Sequence, residues 1–279
     1  MTDPNAPPAV PPSPPVPSAV FGALQASGFP FQTAVEHGIR TAINWKVLAV
    51  EVPWTDPSGA DQFLDLVARS GQYTIGVECK KTQKETLTFL LPQEARATTV
   101  DRAWLLYADQ IRDSTRRWEP FRGLWRVGPA SFESSFCVVS TSGSGKDQRL
   151  LERDVGRLIL GTDAYAQRAR RGIPVSAADE LGWPFVPVLV TNAPLYVARY
   201  EPTDVSLDTG EFASPPTNVD AVPWVRFRKS FPSSGRLDLG ERTAFVVTAT
   251  RLAEFLVELG ETISGQPPPG APRTHLPGS

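Results

Sequence analysis

The stretch from Gln62 to Lys81, QFLDLVARSGQYTIGVECKK, constrains the fold of this chain more than any other. Two runs of strand-forming residues flank a Ser70-Gly71-Gln72 turn, which is the pattern of a β-hairpin. Alternation with period 2 puts Tyr73, Ile75, Val77 and Cys79 on one apolar face and Thr74, Gly76, Glu78 and Lys80 on the other. On the preceding run Leu64, Leu66 and Ala68 take the apolar face, and Asp65 points the opposite way between Phe63 and Val67. The predicted sheet therefore ends in three charged groups. Charge beside a core is costly unless it is paired or binds metal. Two carboxylates with a lysine suit Mg²⁺ or Mn²⁺, which take one or two carboxylates and keep waters.

This stretch resembles the active site of the PD-(D/E)XK phosphodiesterases, the restriction-endonuclease-like nucleases. An aspartate on one strand and Glu-x-Lys on the next carry catalysis in that family, and Asp65, Glu78 and Lys80 stand at those positions. A preceding helix commonly bears a glutamate, and Glu36 in PFQTAVEHGI occupies that place. The departure is Leu64, where the family motif has proline; the resemblance covers residues 29–81. It implies an α/β fold with a restriction-endonuclease-like mixed central sheet flanked by helices, here followed by a β-rich C-terminal part. It also implies a Mg²⁺-dependent (or Mn²⁺-dependent) nuclease acting on DNA, or alternatively RNA, in a defence or repair system. Asp65 and Glu78 would hold the metal with the backbone carbonyl of Cys79, Lys80 would stabilise charge on the phosphate, and Glu36 would act through water on a second metal. Two other readings stay open: a solvated sheet face with an incidental ion pair, and a non-catalytic nucleic-acid- or protein-binding module on a nuclease-like fold.

Composition sets limits around this core. A chain of 279 residues that is 41% hydrophobic can bury a sizeable interior. The expected organisation is a proline-rich tail at 1–18, a nuclease-like core with following helices at 19–175, a β-rich part packed on it at 176–264, and a second proline-rich tail at 265–279. A net charge of -2 counts against coating nucleic acid unaided, and is compatible with a local basic groove, a protein partner or a homo-oligomer. Cys79 and Cys137 lie in apolar runs and read as reduced core residues, which predicts a cytoplasmic chain without disulfides. No secretory signal or membrane span is legible.

Other segments read as follows. Apolar spacing predicts a helix over 31–43, a strand at 45–52, a short strand at 86–91 and a helix over 99–118. That last helix would carry Arg112, Arg116 and Arg117, followed by Arg122 and Arg126 among Trp118 and Trp125, either as a salt-bridged surface or as a phosphate contact. SGSGKD before a helix at 147–171 fails the phosphate-loop pattern, since Ser140 and Asp147 stand where glycine and Ser or Thr are needed; Asp147 is simply an N-cap. Strands follow at 185–191, 195–200, 224–231 and 243–247, then a helix bearing Leu252, Phe255, Leu256 and Leu259 that stops at Gly260. Arg226, Arg228 and Lys229 read as a basic edge over nucleic acid or as charges guarding an edge strand. With His275 in the tail, His37 lacks a nucleophile partner, and no zinc or dinucleotide motif exists.

Overall fold

The structure, a computed structural model, describes residues 18–71, 73–83, 85–92, 99–110, 118–140, 150–171, 183–216, 218–231, 240–261 and 274–275. Among the described residues the fold is mixed α/β, mostly strands, with four α-helices. After α1 (Ser18–Ala26) and α2 (Phe29–Thr41) come β1 (Lys46–Thr55), β2 (Asp61–Ser70) and β3 (Tyr73–Lys80), an antiparallel meander. β4 (Thr86–Pro92), β5 (Val100–Gln110), β6 (Trp118–Ser131), β7 (Glu133–Ser134) and β8 (Cys137–Ser140) lead to the long α3 (Leu150–Arg171). Then follow β9 (Trp183–Thr191), β10 (Leu195–Tyr200), β11 (Asn218–Val222), β12 (Trp224–Ser230), β13 (Glu241–Thr248), α4 (Leu252–Glu261) and the two-residue β14 (Thr274–His275).

The large sheet runs β1-β2-β3-β9-β13-β12-β7, with β5 bridging β6 and β9. β9 lies parallel to both β3 and β13, so the sheet is mixed. β9, β12 and β13 continue the sheet begun by the hairpin. A second sheet, β11-β10-β4-β8, stacks on one face. Both faces of the large sheet are covered, as expected where parallel strands sit inside. Val186, Val188 and Val190 of β9 meet α2 and α4 through Val35, Ile39, Phe255 and Leu256, whereas Leu189 turns to α3 and the second sheet beside Val155, Leu158 and Phe89.

Several expectations change here. Residues 100–110 form a strand, β5, not a helix, pairing with both β6 and β9. The helical reading followed Val100, Trp104 and Ala108, but Ala103 and Leu105 enter one core while Leu106 enters a small separate one, so both faces are apolar and no alternation signals the strand. Arg226 is neither a basic edge nor an edge guard. It is fully buried, donates to the carbonyls of Val100 and Val127 and to Ser131 Oγ, and stacks 4.8 Å from the Phe245 ring. Arg228 pairs with Glu133, and Lys229 Nζ donates to the Glu152 carbonyl, so both side chains tie elements together. The proline-rich segment at 1–17, the SGSGKD motif with Asp147, and Arg112, Arg116 and Arg117 lie outside the described residues. Within the C-terminal tail Thr274–His275 pairs with β6. Among the described residues no helix is long and apolar enough to cross a membrane, and both cysteines are free.

Candidate functional site

The hairpin forms as the alternation predicts on β3, with one informative exception on β2. Ladder pairing runs from Ser70↔Tyr73 to Leu66↔Val77. Leu66 and Ala68 join the core under α2 and α4 with Tyr73, Ile75 and Val77. Leu64, predicted on that same face, turns instead to the α3 side together with Val67. The alternation slips at Asp65, where β2 leaves β3. Its carboxylate takes the vacated ladder position: Cys79 N–H donates to Asp65 Oδ2 at 2.7 Å. A residue's N–H and C=O point to the same side of a strand, so the Cys79 carbonyl faces this same gap. The Cys79 thiol packs against the core, and burial pushes its pKa up, so sulfur offers no thiolate.

The polar face of β3 is not solvated; α3 lies along it. A Cβ at Gly76 would collide with Thr162 Oγ1, so only glycine admits the helix this closely. Gly161 likewise accommodates Trp54, whose Nε1 would stand 2.8 Å from a Cβ there. Four strand residues further on, Lys80 Nζ lies 2.7 Å from Asp154 Oδ2. Eight helical residues rise about 12 Å and four strand residues span about 13 Å, so α3 and β3 run antiparallel in matched step. Glu78 then falls beneath the turn that carries Asp154 and Arg157. Beyond Lys80 the chain is pinned by Asn192, whose Oδ1 accepts from Thr82 N–H at 2.6 Å while its Nδ2 donates to the Thr82 carbonyl at 2.9 Å.

Electrostatics distinguish the two hairpin acids. Burial raises the Glu78 carboxyl first, and the negative charges of Asp65 and Asp154 raise it further, to about 8, against the opposing pull of Lys80 and Arg157. Burial also raises Asp65, aided by Glu51, whereas the Cys79 N–H favours its anion. Both carboxyls are thus held above their ordinary range, chiefly by burial.

Sequence reading missed Glu51, Gln32 and Asp154. Glu51 stands opposite Asp65 on β1 with φ +50°, a left-handed conformation rare for a side chain of its type, and accepts a hydrogen bond from Gln32 Nε2. Gln32 thus brings α2 to the site. Glu36, one turn later on that helix, accepts from Arg40 Nε and Nη2 at 2.8 and 2.6 Å as an i,i+4 pair. Asp65, Glu78 and Lys80 are brought together; the helix's contact with the acids is made by Gln32.

Among the described residues no three His, Cys, Asp or Glu side chains form a group able to hold a metal. Asp65, Glu78 and the Cys79 carbonyl are nevertheless hard oxygen donors, and Mg²⁺ takes one or two carboxylates with water in the remaining positions. Burial, with the neighbouring acids, raises the Glu78 carboxyl to about 8, and a bound cation would favour its anion, so the donor chemistry fits. Comparison with protein-family models, curated proteins and solved structures returns no match for this chain.

Proposed function

We propose that the protein is a metal-dependent phosphodiesterase on a restriction-endonuclease-like fold, hydrolysing phosphodiester bonds in DNA. The observation that carries this reading is the Asp65/Glu78 pair at the open end of the hairpin, with its raised acids and the Lys80 ammonium two residues on. The mixed sheet flanked by helices agrees with the resemblance of residues 29–81 to the PD-(D/E)XK nucleases. Asp65 and Glu78 would hold Mg²⁺ or Mn²⁺ with the Cys79 carbonyl, and the cation when bound would activate water and polarise the scissile phosphate. The Cys79 N–H fixes the rotamer of Asp65, so one of its oxygens is committed to the backbone and its position is preorganised. Lys80 places a compact positive charge beside Glu78, suited to negative charge building on the phosphate oxygens. Arg157, exposed on α3 near Glu78, offers a second cation toward the substrate backbone.

A non-catalytic nucleic-acid- or protein-binding module is favoured by one observation, the engagement of Lys80 with Asp154. Incubating the full chain with plasmid, DNA oligonucleotides and RNA in Mg²⁺ or Mn²⁺, beside Lys80→Ala, separates the two. Cleavage by wild type alone, with both proteins equally folded, is expected. A wild type inert on DNA and RNA in both metals would leave only the module. Calorimetric titration of Mn²⁺ into wild type and Asp65→Ala should show affinity lost in the variant; equal affinities would remove Asp65 from the metal.

A further inference from the structure

We propose that Asp154 of α3 is a positioning residue that holds the Lys80 ammonium in its working orientation, so that the helix rather than the hairpin aims the lysine. This rests on the phosphodiesterase reading and names the residue on which its lysine depends.

The geometry is specific. Lys80 Nζ stands 2.7 Å from Asp154 Oδ2, with the two side chains 34% and 9% exposed. Among the described residues Oδ2 has ionic contact with Lys80 but no hydrogen bond to balance its burial. A buried carboxylate deprived of its cation is strongly unfavourable, so Asp154 ties Lys80 to one place. Among the described residues the ion-pair partner of the Lys80 ammonium is Asp154. A third of the lysine side chain stays open, and an ammonium carries three donors, which leaves protons for a phosphate oxygen arriving from solvent. Without the tether, a four-carbon stem would spread the charge over many rotamers. Asp154 is itself held rigidly, because Gly76 and Gly161 let α3 approach β3 and Trp54 closely, and Lys229 packs on Gly156 while its Nζ donates to the Glu152 carbonyl at 2.9 Å. Asp154 is buried behind the lysine and acts through it.

The test uses the full chain with Mg²⁺ and plasmid, comparing wild type, Asp154→Asn and Asp154→Glu after thermal melting confirms each is folded. Asp154→Asn should lower kcat by about 10- to 100-fold with KM unchanged, the scale of losing an outer residue that orients a reacting group. Asp154→Glu, which keeps the charge, should recover part of that loss. An unchanged kcat, or a loss confined to KM, overturns the proposal. An activity-independent reading comes from limiting acetylation with a succinimidyl ester, quantified by peptide mass spectrometry with exposed Lys46 as reference. Lys80 should be protected in wild type and label several-fold faster in Asp154→Asn. Equal labelling overturns the tether even if rates fall. Should wild type cleave nothing, the functional reading fails while labelling still decides whether Asp154 holds Lys80. Should Asp154→Asn not fold, Asp154→Glu carries the test, with intermediate kcat and wild-type protection expected, and wild-type kcat with unprotected Lys80 overturning it.

Discussion

Replacing Glu78 with glutamine should make the metal-free protein more stable at alkaline pH while abolishing the proposed cleavage. The Glu78 carboxyl is raised from 4.5 to about 8 by burial, Asp65 and Asp154. A carboxyl raised on folding contributes stability that is complete below pH 4.5 and is lost as pH rises through 8, because the unfolded chain ionises first and the folded one must follow at a cost. Glutamine has the same shape and no proton to lose. The stability of Glu78→Gln relative to wild type should therefore grow by roughly 1.4 kcal/mol per pH unit within that window. From pH 6 to pH 8 the relative gain is about 2 to 3 kcal/mol, with the upper end reduced because Glu78 is only partly buried. For a chain of this size that is a change of roughly 5 °C in the difference between melting temperatures. Thermal unfolding in EDTA at pH 6, 7, 8 and 9 measures it, and the curves should stop diverging above pH 8. Mg²⁺ should then stabilise wild type more than the variant at pH 8, since the cation replaces the proton. Melting temperatures that run parallel across the series would refute the reasoning, for they would mean that Glu78 ionises in the folded chain as easily as in the unfolded one.

The close approach of α3 to β3 predicts that Gly76→Ala destabilises by roughly 1 to 3 kcal/mol, since its Cβ meets Thr162; because the helix must shift, acetylation of Lys80 should rise in parallel, and chemical denaturation with peptide mapping reads both. The Arg242–Asp163 pair, 3.3 Å apart and almost completely buried, links β13 to α3. Arg242→Ala should cost about 3 to 5 kcal/mol in urea unfolding at pH 7, because Asp163 loses its cation in the core and is left unpaired or must take up a proton. Glu36→Gln should leave cleavage and Mn²⁺ affinity unchanged, given its pairing with Arg40 on the helix surface; a large loss of either would return Glu36 to the site.

What was legible follows from which contacts are local. The β2-β3 turn, the alternation along Tyr73 to Cys79 and the stripe Leu252, Phe255, Leu256 and Leu259 are patterns complete within a few residues, and each takes its expected face. β5 was not legible because it packs apolar residues on both sides, which removes the period-2 signal and lets a helical spacing fit by coincidence. Arg226 misleads for the opposite reason: an arginine in a strand reads as surface until carbonyls from β5 and β6 arrive to satisfy it.

The same division runs through the candidate site. The hairpin alone supplies Asp65, Glu78 and Lys80, two negative charges and one positive, which is the balance of an ordinary solvated ion pair with one acid to spare. What changes its character comes from elsewhere in the chain: α3 buries the polar face and adds Asp154, and β1 adds Glu51 opposite Asp65. Lys80 then pairs with Asp154 while its charge also favours the Glu78 anion, and Asp65 has a backbone N–H as its main support. A surface pair would relax into solvent. These acids are held by a ladder end, a glycine-mediated helix contact and a left-handed residue, so burial first and mutual repulsion second keep their carboxyls raised. Positive charge arriving beside them would favour their anions, and in the proposed function a divalent cation carrying a phosphate would supply it while Lys80 stays paired with Asp154.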